Sequence, residues 1–455
     1  MEILTEILPG LMFLALIIGL FTALPVPVVL AAVTLIFALL AIWLGEMRSV
    51  HLSLIPTRIY GGVVDNSVLV AVPMFVLMGV VMEKTRIAED LLLTLQKLLS
   101  RVPGGLALAV VLMGTILAAA TGIIGASVVM LTVMALPTMV RAGYSAPLAS
   151  GTVASAGTLG ILIPPSVMLV FMGDLLSLNL SRLFVAAFLP GLFLASVYLI
   201  YLITRSVLRP QDTPPAGALS PEDREGLWRE AIVSVSFPLV LIVAVLGSII
   251  GGLASPTEAA GVGAFAALLL GLVRGRLTLS VLAESTDSSL RTLALLFFIL
   301  STATAFAYVF RKIGGDEYIV ELAHSLKLGD WGLLFAMMGI VFVMGFFFDW
   351  IEITLIVLPI FAPIVDLLDL GGHIPKEQLI YWFAILVAVN LQTSFLTPPF
   401  GIALFYMKGA AGDLLDMRAV YRGIIPFVVL QVVVLFVLIW QPQIAMWLPN
   451  QVLSN

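Results

Sequence analysis

Two stretches decide the fold: Ser155-Ala156-Gly157-Thr158-Leu159-Gly160-Ile161-Leu162-Ile163-Pro164-Pro165-Ser166 and Gln392-Thr393-Ser394-Phe395-Leu396-Thr397-Pro398-Pro399-Phe400-Gly401. Each sits inside a long apolar run, 146–178 and 379–407, and each is broken by a proline pair. A proline within a helix removes one N–H and clashes with the carbonyl a turn earlier, at a cost of about 3 kcal/mol. The second proline also pushes the first out of helical conformation. The chain must therefore unwind, freeing carbonyls over 160–163 and 394–397. In an apolar medium such carbonyls are costly unless something pairs with them.

The medium is lipid. Of 455 residues 61% are apolar and only 11% charged, with a mean hydropathy of +1.17. Soluble domains carry about 25% charged residues, so this chain lacks the polar surface to coat a globule of its size. The net charge of −5 comes without a basic block, which argues against nucleic acid as a partner. Cysteine is absent, excluding disulfides, thiolate metal sites and cysteine nucleophiles together. His51, His324 and His373 are far apart and expected in loops, which argues against a transition-metal site, a histidine-based enzyme or a bound cofactor. There is no Gly-Lys-Ser/Thr phosphate loop, so ATP hydrolysis by this chain is not expected. The N-terminus opens acidic, with Glu2 and Glu6, and runs into an apolar stretch too long for a signal core; no cleavable leader is expected.

A spanning helix needs about 20 apolar residues. Apolar runs occupy 11–44, 64–82, 106–140, 146–178, 183–204, 230–252, 256–273, 292–310, 331–365, 379–407 and 420–440. The longest polar interruption, 207–228, reads as an aqueous linker between a first unit, 1–206, and a second, 229–455. Lys and Arg concentrate on the cytoplasmic side. With 11–44 as a hairpin turning near Pro25 and Pro27 and both ends outside, fifteen of the 22 Lys and Arg fall inside. The exceptions include Arg58, Arg311 and Lys312.

That scheme requires 106–140 and 331–365 not to cross. Each is 35 residues long, too short for two full spans, and carries a polar centre: Thr121-Gly122-Ile123-Ile124-Gly125-Ala126-Ser127 in one, Asp349-Trp350-Ile351-Glu352 in the other. Each reads as a re-entrant hairpin, whose tip is tolerable only against protein or a water-filled cavity. Aligned on the prolines, Leu162 matches Leu396 and Phe171 matches Phe405. The expected fold is an all-α polytopic membrane protein. It is an inverted repeat with two re-entrant hairpins and two Pro-Pro-interrupted helices, the layout of a secondary transporter.

A sodium ion suits the freed carbonyls, being small, hard and satisfied by oxygen. Hydroxyl and amide oxygens stand nearby at Ser155, Thr158, Ser166, Gln392, Thr393, Ser394 and Thr397, with Thr121 and Ser127 on the facing tip. Asp349 and Glu352 admit two readings. Intramembrane acids are usually functional, and an acid followed by Glu three residues on is also a capping pair. Thr302 and Thr304 either line the pathway or satisfy their own helix carbonyls. Ser255-Pro256-Thr257-Glu258 reads as a capped helix start, and the glycines of 151–160 as places where backbones approach closely.

These residues resemble the large membrane subunit of tripartite ATP-independent periplasmic (TRAP) transporters, over about 10–440. The likeness rests on Pro73-Met74-Phe75-Val76-Leu77-Met78-Gly79, 156–166, 255–260, Asp349-Trp350 and Leu396-Thr397-Pro398-Pro399. The resemblance implies a sodium-driven importer of small organic acids in a bacterial inner membrane, working as an elevator. It implies a periplasmic substrate-binding protein and a small four-helix membrane subunit, expected here as a separate polypeptide. It places ion sites where Thr121, Gly122 and Ser127 face Gly157, Thr158, Gly160, Pro164 and Pro165, and where Asp349 faces Thr393, Thr397, Pro398 and Pro399. Ser155, Ser166, Thr302, Thr304 and Gln392 would line the substrate pathway. The first tip departs from the family by being poorer in serine. The alternative is a stand-alone sodium- or proton-coupled anion carrier that needs no binding protein.

Overall fold

Backbone in a bilayer must satisfy its own hydrogen bonds, and the helix does so within one segment. The computed structural model describes residues 2–22, 24–121, 124–214, 226–399 and 401–453, with side chains for all of these except 2–4, 118–121, 126 and 413. No strand occurs among the described residues. Seven of their helices are long and apolar enough to cross a membrane.

The first half begins with the expected hairpin, α1 (Glu2–Leu20) and α2 (Val26–Leu44), entered at Pro25 and closed by Gly45 in a left-handed cap. Next come α3 (Val50–Ile59), continued by a π turn at Tyr60–Val64, then α4 (Ala71–Lys84) and α5 (Ile87–Leu98). At the place of the expected hairpin stand α6 (Gly105–Thr121), α7 (Ile124–Met134) and α8 (Leu136–Arg141). Helix α9 (Ala146–Thr158) tightens into a 3-10 turn at Leu159–Ile161, breaks, and resumes as α10 (Val167–Leu175) before α11 (Leu180–Leu208).

The second half comprises α12 (Leu227–Ile250), α13 (Pro256–Val273), α14 (Leu279–Lys312) and α15 (Gly315–Ser325). Its hairpin is α16 (Gly329–Met344) and α17 (Trp350–Leu367), with α15 and α16 meeting at 117°. Helix α18 (Lys376–Ser394) breaks at the second proline pair and resumes as α19 (Ile402–Ala411), followed by α20 (Met417–Trp440) and α21 (Gln443–Val452). Both predicted breaks are present, and both Pro-Pro bonds are cis.

Hydropathy found the elements but misplaced some ends, because caps rather than apolarity set them. The run expected at 292–310 is a helix from Leu279, started by Thr278, whose hydroxyl accepts from the Val281 N–H at 3.2 Å. The run expected from 64 becomes α-helical only at Ala71. At Ser255 the expected cap forms: Glu258 N–H donates to Ser255 Oγ at 3.3 Å, and Ser255 N–H donates to Glu258 Oε2 at 2.7 Å. His51 and His324, expected in loops, lie on α3 and α15. Those are short, more polar helices that an apolar-run search passes over. Part of the expected linker is ordered: Pro210–Asp212 forms a 3-10 turn, held by Arg205 to Asp212 at 2.7 Å. Residues 215–225 lie outside the described ones.

Without a hydrophobic drive between helices in lipid, close packing and interhelical hydrogen bonds hold the bundle. Gly151 on α9 and Gly423 on α20 show the first: a Cβ on either would collide with backbone of the other helix. Buried polar tips supply the second. Gln431 donates to Tyr198 Oη at 2.8 Å and Trp382 Nε1 to the Leu438 carbonyl at 3.0 Å. The helices after the breaks pack crosswise. Phe171 of α10 lies against Trp350 of α17, and Tyr406 of α19 lies against Gly125 of α7. Each half's broken helix thus leans on the other half's hairpin.

Candidate functional site

The proline pairs act on equivalent carbonyls. Pro165 leaves the Ile161 carbonyl without its helical donor, and Ser166 Oγ takes that place. Pro399 does the same to Phe395, whose carbonyl is taken by the Ala403 N–H at 3.2 Å. The carbonyls four residues before the first proline of each pair belong to Gly160 and Ser394. These matched positions are the carbonyl oxygens that the prolines deprive of their helical donors.

Side chains around the first break are buried and oriented by their own helix. Ser155 Oγ donates to the Gly151 carbonyl at 2.6 Å and Thr158 Oγ1 to the Ser155 carbonyl at 2.9 Å. Each hydroxyl still keeps lone pairs for a cation. Ser166 caps α10, and Ser127 is buried on the facing hairpin. Gly157 lets that hairpin approach: a Cβ there would lie 2.6 Å from Val128 Cγ2 and 3.1 Å from Val128 Cα. Gly122 and the Thr121 side chain lie outside what is described.

Around the second break, Thr393 Oγ1 donates to the Asn390 carbonyl at 2.7 Å and Thr397 Oγ1 to the Thr393 carbonyl at 2.9 Å. Asn390 Nδ2 donates across to the Met338 carbonyl at 2.7 Å, tying α18 to the hairpin's entering arm. Gly345, at the hairpin turn, packs on Ser394. Neither the Ser394 hydroxyl nor either end of the Gln392 amide finds a partner, although both residues are buried. Buried orphans of this kind cost about 1–3 kcal/mol each, so they point to a water, an ion or a substrate. Asp349 caps α17: its Oδ1 accepts from Trp350 N–H at 2.7 Å, while Glu352 Oε2 accepts from Asp349 N–H at 3.1 Å. The capping reading of this pair is thus realised, and the remaining carboxylate lone pairs are compatible with the ion-handling one.

A cavity of about 680 Å³ lies elsewhere, and sequence reasoning did not assemble it. One wall is α3, the π turn and α14, with Arg58, Gly62, Thr304, Tyr308, Arg311 and Lys312; the other is α10 and α17, with Asp174, Leu355 and Pro359. The Tyr308 hydroxyl is buried without a partner, and Arg58 lies over the Tyr308 ring at 5.7 Å from its centroid. Thr304 lines this cavity while donating to the Leu300 carbonyl at 2.8 Å. Thr302 is buried, bonded to the Phe298 and Ile299 carbonyls, and outside the lining. The signal that could have found the cavity was charge: Arg58, Arg311 and Lys312 are three of the seven cations expected outside, against the inside bias.

The chain matches the family model described as "Tripartite ATP-independent periplasmic transporter, DctM component" over residues 13–444. It is 30% identical to the C4-dicarboxylate TRAP transporter large permease protein DctM of Pseudomonas aeruginosa, covering 89% of this chain and 90% of that one. It is 28% identical to the ectoine TRAP transporter large permease protein TeaC of Halomonas elongata, over 84% and 86%. Among solved structures, the YdaH transporter of Alcanivorax borkumensis aligns with a TM-score of 0.58 at 14% identity, over 89% and 90% of the two chains. MtrF of Neisseria gonorrhoeae aligns at 0.51 and 14%, over 90% and 84%. These two likenesses concern the fold alone.

Proposed function

Because the chain belongs to the DctM family of tripartite ATP-independent periplasmic transporters, whose large permeases are multi-pass inner-membrane proteins, we propose that it imports a small organic acid by sodium symport. The observation that carries this reading is the pair of matched breaks. Each frees one carbonyl, Gly160 or Ser394, beside buried hydroxyls, and the second adds the unpartnered Gln392 amide. Oxygen donors without thiolate or imidazole suit a hard cation. The coupling ion is read as sodium, held at the first break by the Gly160 carbonyl with Thr158 and Ser155, and at the second by the Ser394 carbonyl with Thr393 and Thr397.

The cationic cavity is read as the acid's seat, with Arg58, Arg311 and Lys312 meeting its carboxylate and Tyr308 offering a hydroxyl. Related permeases are named for C4-dicarboxylates and ectoine, which supports a small polar substrate without fixing which one. The walls differ in origin, one from α3 and α14 and the other from broken helix and hairpin. In this reading the two hairpins and two broken helices form one body, related by an inverted repeat, that slides as an elevator against the rest. The crosswise packing of α10 on α17 and α19 on α7 supports a single body. A periplasmic binding protein would deliver the acid and a small membrane subunit would complete the scaffold. One positive charge moving inward gains about 2.3 kcal/mol per 100 mV, so two sodium ions per monoanion would draw on both gradient and potential.

Ion binding is tested by thermal unfolding of the purified protein in detergent. Sodium, but not potassium or choline at equal ionic strength, should raise the midpoint; a ligand at a hundred times its Kd stabilises by about 2.7 kcal/mol. Equal midpoints in the three salts would overturn the sodium reading.

A further inference from the structure

The cavity holds one acid among its cations, and that acid is placed where stability alone would not put it. Asp174 stands in the last turn of α10 (Val167–Leu175), where a negative charge opposes the helix dipole. Arg58, Arg311 and Lys312 line the same space, yet among the described residues none forms an ion pair with Asp174; Arg311 stands 3.9 Å from Asp316 instead. Asp174 bonds to a neutral amide: Asn66 Nδ2 donates to Asp174 Oδ1 at 2.6 Å. Asn66 is itself fixed, its Nδ2 donating to the Gly62 carbonyl at 3.2 Å and its Oδ1 accepting from Val68 N–H at 3.0 Å. The carboxylate is thus held at one wall while the cations stand along the other. Opposite charges kept apart across a cavity leave room for a ligand that bears both kinds of complementary group.

We propose that Asp174 is a specificity-determining residue: it accepts a hydrogen bond from a hydroxyl or ammonium group of an acid whose carboxylate faces Arg58, Arg311 and Lys312. The favoured substrate class is then hydroxy or amino acids rather than unsubstituted acids of the same length. A plain diacid would turn a second carboxylate or a bare methylene toward Asp174, and either leaves that carboxylate uncompensated. This inference rests on the cavity being the acid's seat, as proposed above.

The test is uptake into proteoliposomes holding the full transporter, under an inward sodium gradient and with one binding protein throughout. Matched acids differing at a single carbon are compared: propionate, lactate and alanine; succinate, malate and aspartate. The wild type should prefer a hydroxy or amino member over its unsubstituted partner. Asp174→Asn should reduce that preference by about tenfold, the scale of one hydrogen bond to a charged group. Asn66→Ala should shift it in the same direction by releasing the carboxylate. Because the readout is a ratio between acids on one preparation, a lower yield of folded variant does not change it. Wild-type uptake with no such preference, or a ratio unmoved by Asp174→Asn, overturns the inference and leaves the transport reading standing. No uptake of any acid by the wild type overturns both.

Discussion

The ring of Phe171, just past the first break, packs against Trp350 at the turn of the second hairpin, with centroids 6.2 Å apart. On the other side the contact is made by Tyr406, next to Phe405, the residue that matches Phe171. A Cβ on Gly125 of the first hairpin would lie 2.9 Å from the Tyr406 ring. The two halves are therefore joined by exchange, each broken helix braced by the other's hairpin.

If the braced elements move together, a covalent link within them is harmless and a link from them to α14 is not. The chain has no cysteine of its own, so introduced pairs report cleanly. Cross-linked Phe171→Cys with Trp350→Cys should retain uptake. Thr304→Cys with Leu355→Cys, on opposite walls of the cavity, should lose uptake on bridging with a bifunctional reagent and regain it on reduction. Retained uptake in the second bridged pair would rule out sliding at that wall.

Removing the prolines should restore continuous helices and re-bond the Gly160 and Ser394 carbonyls. Pro164→Ala with Pro165→Ala, or Pro398→Ala with Pro399→Ala, should leave membrane insertion intact. Each proline removed from a helix interior relieves about 3 kcal/mol, but the freed oxygens are lost. Uptake and the sodium-specific rise in unfolding temperature should both disappear. A double variant that keeps them would show that the breaks are not ion sites.

Much of this architecture was readable in the sequence because lipid makes backbone satisfaction compulsory. Pro164-Pro165 and Pro398-Pro399 meant unwound chain; the 35-residue runs around Thr121 and Asp349 each hold two helices or more, one of which, α17, is long and apolar enough to span a membrane. Element ends were less readable: Leu279 begins a helix because Thr278 caps it, a local hydrogen bond that hydropathy does not register. Least readable was the cavity. Arg58 on α3, Asp174 on α10, and Tyr308 and Arg311 on α14 come from three separate helices, and only the tertiary fold brings them to one space. Their single trace in the sequence was cationic charge on the unexpected side. Asp174 follows Gly173 near the end of its apolar run, which in sequence gives it no partner, whereas the fold bonds it to Asn66 and lines the cavity with it.

Asp349 separates structural from functional roles by the choice of substitution. An Asn at this position can still cap, whereas Ala cannot and should cost about 0.5–2 kcal/mol of stability. Asp349→Asn should therefore unfold near the wild-type temperature and Asp349→Ala several degrees lower. If the carboxylate also serves the ion, Asp349→Asn will show a weakened sodium response despite its normal stability. A normal response in Asp349→Asn would assign the residue to capping alone.

Gly157 is where the first hairpin meets the first broken helix. A methyl there would press on Val128 backbone 3.1 Å away, and overpacking of this kind costs about 1–3 kcal/mol. Gly157→Ala should lower thermal stability accordingly. Gly261, on α13 with open space where a methyl would stand, provides the control, and Gly261→Ala should be neutral or mildly stabilising. Equal effects at the two sites would contradict the close approach.

The central claim, that sodium drives a binding-protein-delivered acid through this chain, is met most directly by uptake of a labelled pool of small organic acids. The proteoliposomes contain this chain and its small partner subunit under an inward sodium gradient, with the periplasmic binding protein added or withheld. Uptake that needs both sodium and the binding protein is the predicted result, and the acid accumulated names the substrate class. Uptake indifferent to sodium would contradict the account. Uptake with sodium but without the binding protein would place the chain instead among stand-alone carriers.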